Sequence, residues 1–248
     1  MQSRFVWLCF FVSITLPLSG ACQDVDTTTP KHAASNLDEH VFLSINQWAG
    51  TLGMDHEIKF ISDIALPIRI VTPISLYTLG LIRHDYTQAL GGLTVGIGQG
   101  VSSLVTEGLK ALVQRPRPFH VIEGTRTPFD GATGYSFPSG HSTATWALVA
   151  ALSFEYPKWY LVVPAVALAT LVSLTRPCLG DHYVSDLLAG AVVAVGCTYI
   201  VHRNEALIAR IFTHILPDPH SPLAPGMTIA PTLGPDLNGF TIAIPFGE

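Results

Sequence analysis

Charge is what this sequence has least of. Only 12% of its 248 residues are charged, against 48% hydrophobic, and the net charge is a modest −5. A soluble domain ordinarily carries about 25% charged residues. With a mean hydropathy of +0.41, the composition points to a membrane. No run of Lys or Arg offers a face to nucleic acid, so no nucleic-acid partner is expected. Cysteine is sparse too: Cys9 and Cys22 lie near the N-terminus, Cys178 in a loop, and Cys197 in an apolar segment where a buried free thiol is ordinary. No Cys spacing resembles a zinc or haem site, and no metal and no cofactor is expected. The length suits one domain with a full core.

The N-terminus has the anatomy of an export signal over residues 1–21. Arg4 supplies positive charge, Phe5 to Leu18 form the apolar stretch, and Ser19-Gly20-Ala21 are the small residues before a cleavage point. That stretch falls short of the roughly 20 residues a span needs. Three fates stay open: cleavage after Ala21, lipid attachment at Cys22, or an uncleaved anchor. A lipobox wants a branched apolar residue three places before the cysteine, and Ser19 stands there. Residues 22–36 read as a linker and 37–210 as the helical domain. Residues 211–248 form a tail whose six prolines between Pro217 and Pro235 rule out a long helix. Within it, 237–246 alternates enough for one short strand, with no visible partner.

From Leu37 to Ile61 apolar residues recur near helical period but lose register around Gly50 and Gly53. This predicts two short amphipathic helices, lying on a membrane surface or packed on the core. Five apolar segments follow at 65–82, 87–113, 142–154, 159–175 and 184–201. The last two approach spanning length, with Asp186 the one charged residue between Trp159 and Thr175 or Val184 and Val201. Pro67, Arg69 and Pro73 weaken the first segment as a span, polar residues the second, and shortness the third.

Polar clusters stand at the ends of these segments. Lys110 is followed after six residues by Arg117-Pro118; Pro138-Ser139-Gly140-His141 comes next; then Arg176, five residues, His182, three residues and Asp186. Singly each has an ordinary reading: a solvated helix end, a turn entering a helix, a helical i, i+4 pair. Together, in this order and spacing, they resemble the phosphatidic acid phosphatase type 2 family, which also contains bacterial acid phosphatases and vanadium haloperoxidases. The resemblance covers about residues 87–202. It departs from the family pattern at Thr175, which stands where the family has serine and keeps the hydroxyl.

The resemblance implies an all-α helical bundle, with five membrane-embedded helices, and a phosphatase that works through a phosphohistidine. His182 would be the nucleophile, Asp186 the acceptor of its other ring N–H, and His141 the general acid and then base. Lys110, Arg117, Ser139, Gly140 and Arg176 would bind the phosphate. The chemistry agrees, because phosphoryl transfer asks chiefly for positive charge and N–H donors around the equatorial oxygens. Arg117 and Arg176 could each offer two parallel N–H groups, and the Gly140 amide opens a helix. Arg115 is expected to be solvated or to touch a headgroup, Asp181 to tune His182 or cap its loop, and loop 119–137, with His120, Glu123 and Arg126, to form a mobile substrate-facing lid.

The expected partner is a lipid phosphate or pyrophosphate in the bacterial inner membrane, hydrolysed at the periplasmic face. Candidates are undecaprenyl pyrophosphate, phosphatidylglycerophosphate, phosphatidic acid and lipid A phosphate. The rival readings are a soluble periplasmic acid phosphatase, a vanadium haloperoxidase and a catalytically silent membrane protein. Oligomeric state is left open.

Overall fold

A computed structural model describes residues 30–129, 131–216, 228–233 and 238–243. The expected signal segment, most of the linker and most of the tail lie outside the described residues. The described chain is helical: α1 Leu37–Leu52, α2 Asp55–Asp63, α3 Ala65–Ile82, α4 Tyr86–Val113, α5 Pro118–Val121, α6 Gly140–Glu155, α7 Trp159–Cys178, α8 Val184–Arg203 and α9 Glu205–Ile211. In the tail, β1 Thr228–Leu233 pairs antiparallel with β2 Asn238–Ala243. The strand expected at 237–246 therefore has a partner after all. Pro231 hid it, because proline lacks the ladder N–H and argues against a strand.

The predicted pair of amphipathic helices is α1 and α2. The Asn36 side chain caps α1 by accepting the Glu39 N–H, and Gly53, at φ +64°, ends it. Of the two placements left open for α1, packing on the core is the one observed. Phe42 is fully buried against Val121, Ile122 and Tyr183.

The five apolar segments are α3, α4, α6, α7 and α8. Helix α3 continues through Pro73, a tolerance expected where neighbouring helices satisfy the freed backbone groups. Among the described residues, four helical runs are long and apolar enough to cross a membrane: Asp55–Ile82, Tyr86–Val121, Trp159–Cys178 and Val184–Arg203. Their outer faces carry large exposed apolar side chains, among them Val71 and Leu79 of α3, Val163 and Leu171 of α7, and Leu188 and Val192 of α8. Such a belt in water would be a large aggregating patch; in lipid it is the ordinary surface of a span.

Helix α6, at 16 residues, is the short member. It packs against α4, α7 and α8, and every residue from Ser142 to Leu152 except Trp146 is buried. Two hydrogen bonds join its start to α8: Ser139 N–H donates to the Asp186 carbonyl at 3.1 Å, and Ser142 Oγ to the Leu187 carbonyl at 2.8 Å. Since α4 and α7 end where α6 and α8 begin, the sequence clusters gather at one end of the bundle. Arg83, Lys158 and Arg203 lie at the other.

Candidate active site

The site is assembled from helix ends. Lys110 lies in the last turn of α4, Arg117 immediately precedes α5, and Ser139 caps α6 with its hydroxyl toward the Ser142 N–H. Gly140 and His141 open α6, Arg176 lies in the last turn of α7, and Asp186 in the first turn of α8. His182 sits in the short link between α7 and α8. Gly180 begins that reversal at φ +90°, and a Cβ there would meet the Arg126 carbonyl at 2.7 Å. Only glycine fits both demands. Beside these residues is a cavity of about 220 Å³, lined by His141, Arg176, Leu179 and Asp181, by Lys59 and Asp63 of α2, and by Phe129 and Ala132.

His182 is 2% exposed. Its Nδ1 lies 2.8 Å from the Ser136 carbonyl and its Nε2 3.2 Å from Arg117 Nη1. A carbonyl can only accept and a guanidinium can only donate, so the proton resides on Nδ1 and the lone pair on Nε2. Burial, then the charges of Arg117, Arg176 and Lys110, hold its pKa well below the ordinary imidazole value. The ring is a neutral base whose unprotonated Nε2 accepts from Arg117.

Asp186 was expected to fix that tautomer. The carbonyl of Ser136 does so instead, and Asp186 Oδ2 stands 3.5 Å from Nδ1, near enough for charge but not for a good hydrogen bond. Asp186 Oδ2 accepts the Tyr183 N–H at 3.0 Å and Oδ1 accepts Arg115 Nη1 at 2.7 Å. Arg115 is thus neither solvated nor free for a headgroup. It bridges Asp186 and Asp38 of α1, with its guanidinium carbon 3.6 Å from the centre of the Tyr183 ring.

The cations are held differently from one another. Arg117 donates to the carbonyls of Gly134, Thr133 and Asp181 at 2.9, 2.7 and 3.2 Å as well as to His182. This makes it a strut between the loop before α6 and the histidine, rather than the open fork expected. Arg176 donates to Ser62 Oγ at 2.6 Å and to Asp181, so Asp181 is the counter-ion of Arg176. The Arg176 Nε is buried with no partner among the described residues, a donor an anion in the adjoining cavity would satisfy. Lys110 pairs with exposed Glu107 at 2.9 Å, and a Cβ on Gly140 would lie 3.5 Å from its Nζ. The His141 ring makes no hydrogen bond among the described residues. Thr175 turns its hydroxyl back to the Val172 carbonyl at 2.6 Å.

Loop 119–137 is pinned at its middle. Arg126 grips Asp55 of α2 at 2.8–2.9 Å, so it faces α2 and not the substrate as expected. Phe129 and Ala132 are the loop residues that line the cavity. His120 stacks against Phe119 at 4.1 Å between ring centres. Ser62, Asn46 and Asp38 all serve this end of the bundle, and none stood out in the sequence. The one signal was their occurrence as small polar residues on otherwise apolar helix faces.

Residues 91–207 match the PAP2 superfamily. A lipid A 1-phosphatase of Rhizobium etli is 39% identical over 145 residues, which cover 55% of this chain and 56% of that protein. The chain thus spans about half the length of that curated relative. Among solved structures, LpxE of Aquifex aeolicus superposes with a TM-score of 0.58 at 20% identity, over 70% of this chain and 99% of that one. The first transmembrane PAP2 type phosphatidylglycerolphosphate phosphatase from Bacillus subtilis superposes with a TM-score of 0.54 at 19% identity, over 83% and 96%. These likenesses carry the fold, and the family match falls on the segment that holds all three clusters. The match to the PAP2 superfamily thus takes in residues 91–207, somewhat under half of the chain.

Proposed function

We propose that the protein is a metal-independent phosphatase that hydrolyses a lipid phosphate or pyrophosphate through a phosphohistidine on His182. The observation that carries this reading is the placing of the His182 ring, with Nδ1 2.8 Å from the Ser136 carbonyl and Nε2 3.2 Å from Arg117 Nη1, which selects the tautomer with its lone pair on Nε2. Nε2 attacks phosphorus while the bond to the leaving oxygen breaks. His141, its pKa held down to about 3 in the free protein by burial and the neighbouring cations, takes up a proton when the phosphate offsets those cations and gives it to that oxygen. Asp186, 3.5 Å from Nδ1, stabilises the positive charge the ring acquires. In the second step His141 takes a proton from water, the oxygen bonds phosphorus, and the P–N bond breaks to return neutral His182. Lys110, Arg117 and Arg176, with the Ser139 hydroxyl and the Gly140 amide, supply the charge and donors that a metal ion supplies elsewhere.

The apolar belt favours a lipid substrate over a soluble ester, since the cavity opens at the end of helices built for a bilayer. Arg83, Lys158 and Arg203 at the far end agree with the positive-inside rule, with the active site then on the outer, periplasmic face of the inner membrane. An exported N-terminus at 1–21 fits the same orientation. The test is phosphate release by detergent-purified protein in excess chelator. The panel sets undecaprenyl pyrophosphate, phosphatidylglycerophosphate, phosphatidic acid and lipid A against soluble esters. Turnover of a lipid phosphate without metal is expected. Activity that disappears with chelator and returns with magnesium overturns the mechanism, and preference for soluble esters overturns the substrate class.

A further inference from the structure

Asp38 lies in the first turn of α1, outside the family-matched residues 91–207 and 147 positions before Ser185. Its carboxylate nevertheless meets the start of α8. Oδ1 accepts the Ser185 N–H at 3.0 Å, which caps from another helix an N–H left free in the first turn of α8. Oδ2 accepts Arg115 Nη2 at 2.8 Å and the Ser185 hydroxyl. The other arm of Arg115 donates to Asp186 Oδ1 and to Ser185 Oγ, each at 2.7 Å. Burial raises the Asp38 pKa, but its hydrogen bonds with Ser185 and Arg115 outweigh burial and keep it charged. A continuous chain of contacts therefore runs from Asp38 through Arg115 and Asp186 to the His182 ring.

We propose that Asp38 is a positioning residue for the phosphoryl transfer, holding Arg115 so that Asp186 keeps its place beside His182. The inference rests on the phosphatase reading given above. A guanidinium on a flexible stem with one carboxylate partner can swing and draws on that partner alone; with two it is fixed, and its charge is shared. With Asp38 neutral, Arg115 is anchored by Asp186 alone and can swing with it, so that carboxylate is less well placed beside the ring that turns cationic when Nε2 bonds phosphorus. Asp38 does not line the cavity, so its effect falls on the chemical step and not on substrate binding.

The test is Asp38→Asn in the full chain. Asparagine keeps the size and can still accept the Ser185 N–H through its one oxygen, while the charge and the acceptor for Arg115 are lost. The expected result is a kcat lower by about tenfold, with KM and melting temperature close to wild type. Asp38→Glu, which restores the charge, recovers part of the loss. Wild-type kcat in Asp38→Asn, or a loss that matches a loss of folded protein, overturns the proposal. A readout that needs no turnover separates this from failure of the phosphatase reading. The His182 Nδ1–H resonance, assigned with His182→Gln, shifts in Asp38→Asn and moves back in Asp38→Glu. If it stays at its wild-type position in Asp38→Asn, the inference fails whatever the enzyme hydrolyses.

Discussion

Asn46 and Arg126, 80 residues apart, exchange a pair of hydrogen bonds: the Arg126 N–H donates to Asn46 Oδ1 at 2.7 Å, and Asn46 Nδ2 donates to the Arg126 carbonyl at 2.9 Å. The same amide donates to the carbonyls of Pro177 and Cys178, each at 3.1 Å. One fully buried side chain thus ties α1 to the loop over the cavity and to the end of α7, just before His182.

Asn46→Ala takes this partner from the Arg126 N–H and from the carbonyls of Arg126 and Cys178, while the Pro177 carbonyl keeps the Gly180 N–H. Each buried unsatisfied group costs about 1–3 kcal/mol, so we expect a clear drop in melting temperature in detergent. Asn46→Asp should also destabilise, because a carboxylate cannot donate to the carbonyls of Arg126, Pro177 and Cys178. A thermal shift series decides it: an alanine variant as stable as wild type removes the clamp from the account.

The two histidines separate by leaving group. His182→Ala should abolish turnover of every substrate and leave no phosphoenzyme. His141→Ala should lose about 10²–10⁴-fold on alkyl phosphates, whose alkoxide needs a proton. On p-nitrophenyl phosphate it should lose less and accumulate acid-labile phosphohistidine, because hydrolysis of the intermediate still needs the missing base. Rapid quench with labelled substrate reads this directly. Label retained by His182→Ala and absent from His141→Ala would reverse the roles.

Thr175, the departure from the family pattern, calls for a prediction milder than its sequence position suggests. Its hydroxyl is spent within α7 on the Val172 carbonyl, a local back-bond that contributes little to the helix. Thr175→Ser and Thr175→Val should both keep turnover within about threefold of wild type. Steady-state kinetics on the two variants suffices, and a large loss in valine alone would mean the hydroxyl reaches the phosphate during catalysis.

The low pKa of His182 also has a stability consequence. Burial first, and then the neighbouring cations, depress it in the folded chain. Between the folded value and the unfolded value of about 6.5, the unfolded chain binds more protons, and stability falls as pH falls. Melting temperatures from pH 7.5 to 5 should therefore decline more steeply for wild type than for His182→Gln, which has no such proton to take up. Parallel curves would show that the ring does not titrate differently on folding.

The clusters were legible because their spacing is local. His182 and Asp186 are four residues apart across the cap of α8, and Ser139-Gly140-His141 is the start of a helix wherever it is placed. The five apolar segments likewise became α3, α4, α6, α7 and α8 with ends within three residues of those read. What escaped was pairing across the chain. Nothing near Asp38 announces Arg115, and nothing near Asp181 says that its partner is Arg176 and not His182. The fork expected of Arg117 failed for a related reason: backbone carbonyls of Thr133 and Gly134 take its N–H groups, and carbonyl direction is invisible in a residue string.

On the lipid-phosphatase reading proposed above, the belt of exposed apolar side chains below the cavity sets the terms in which the protein would meet its substrate. A phosphate lipid and this protein are dissolved in the same thin sheet, so the quantity that saturates the site is the lipid's mole fraction in its leaflet and not its bulk molarity. The two products then part at birth. Inorganic phosphate leaves into water and is diluted without limit, while the dephosphorylated lipid stays in the bilayer, and the reverse reaction loses one of its reactants to another phase.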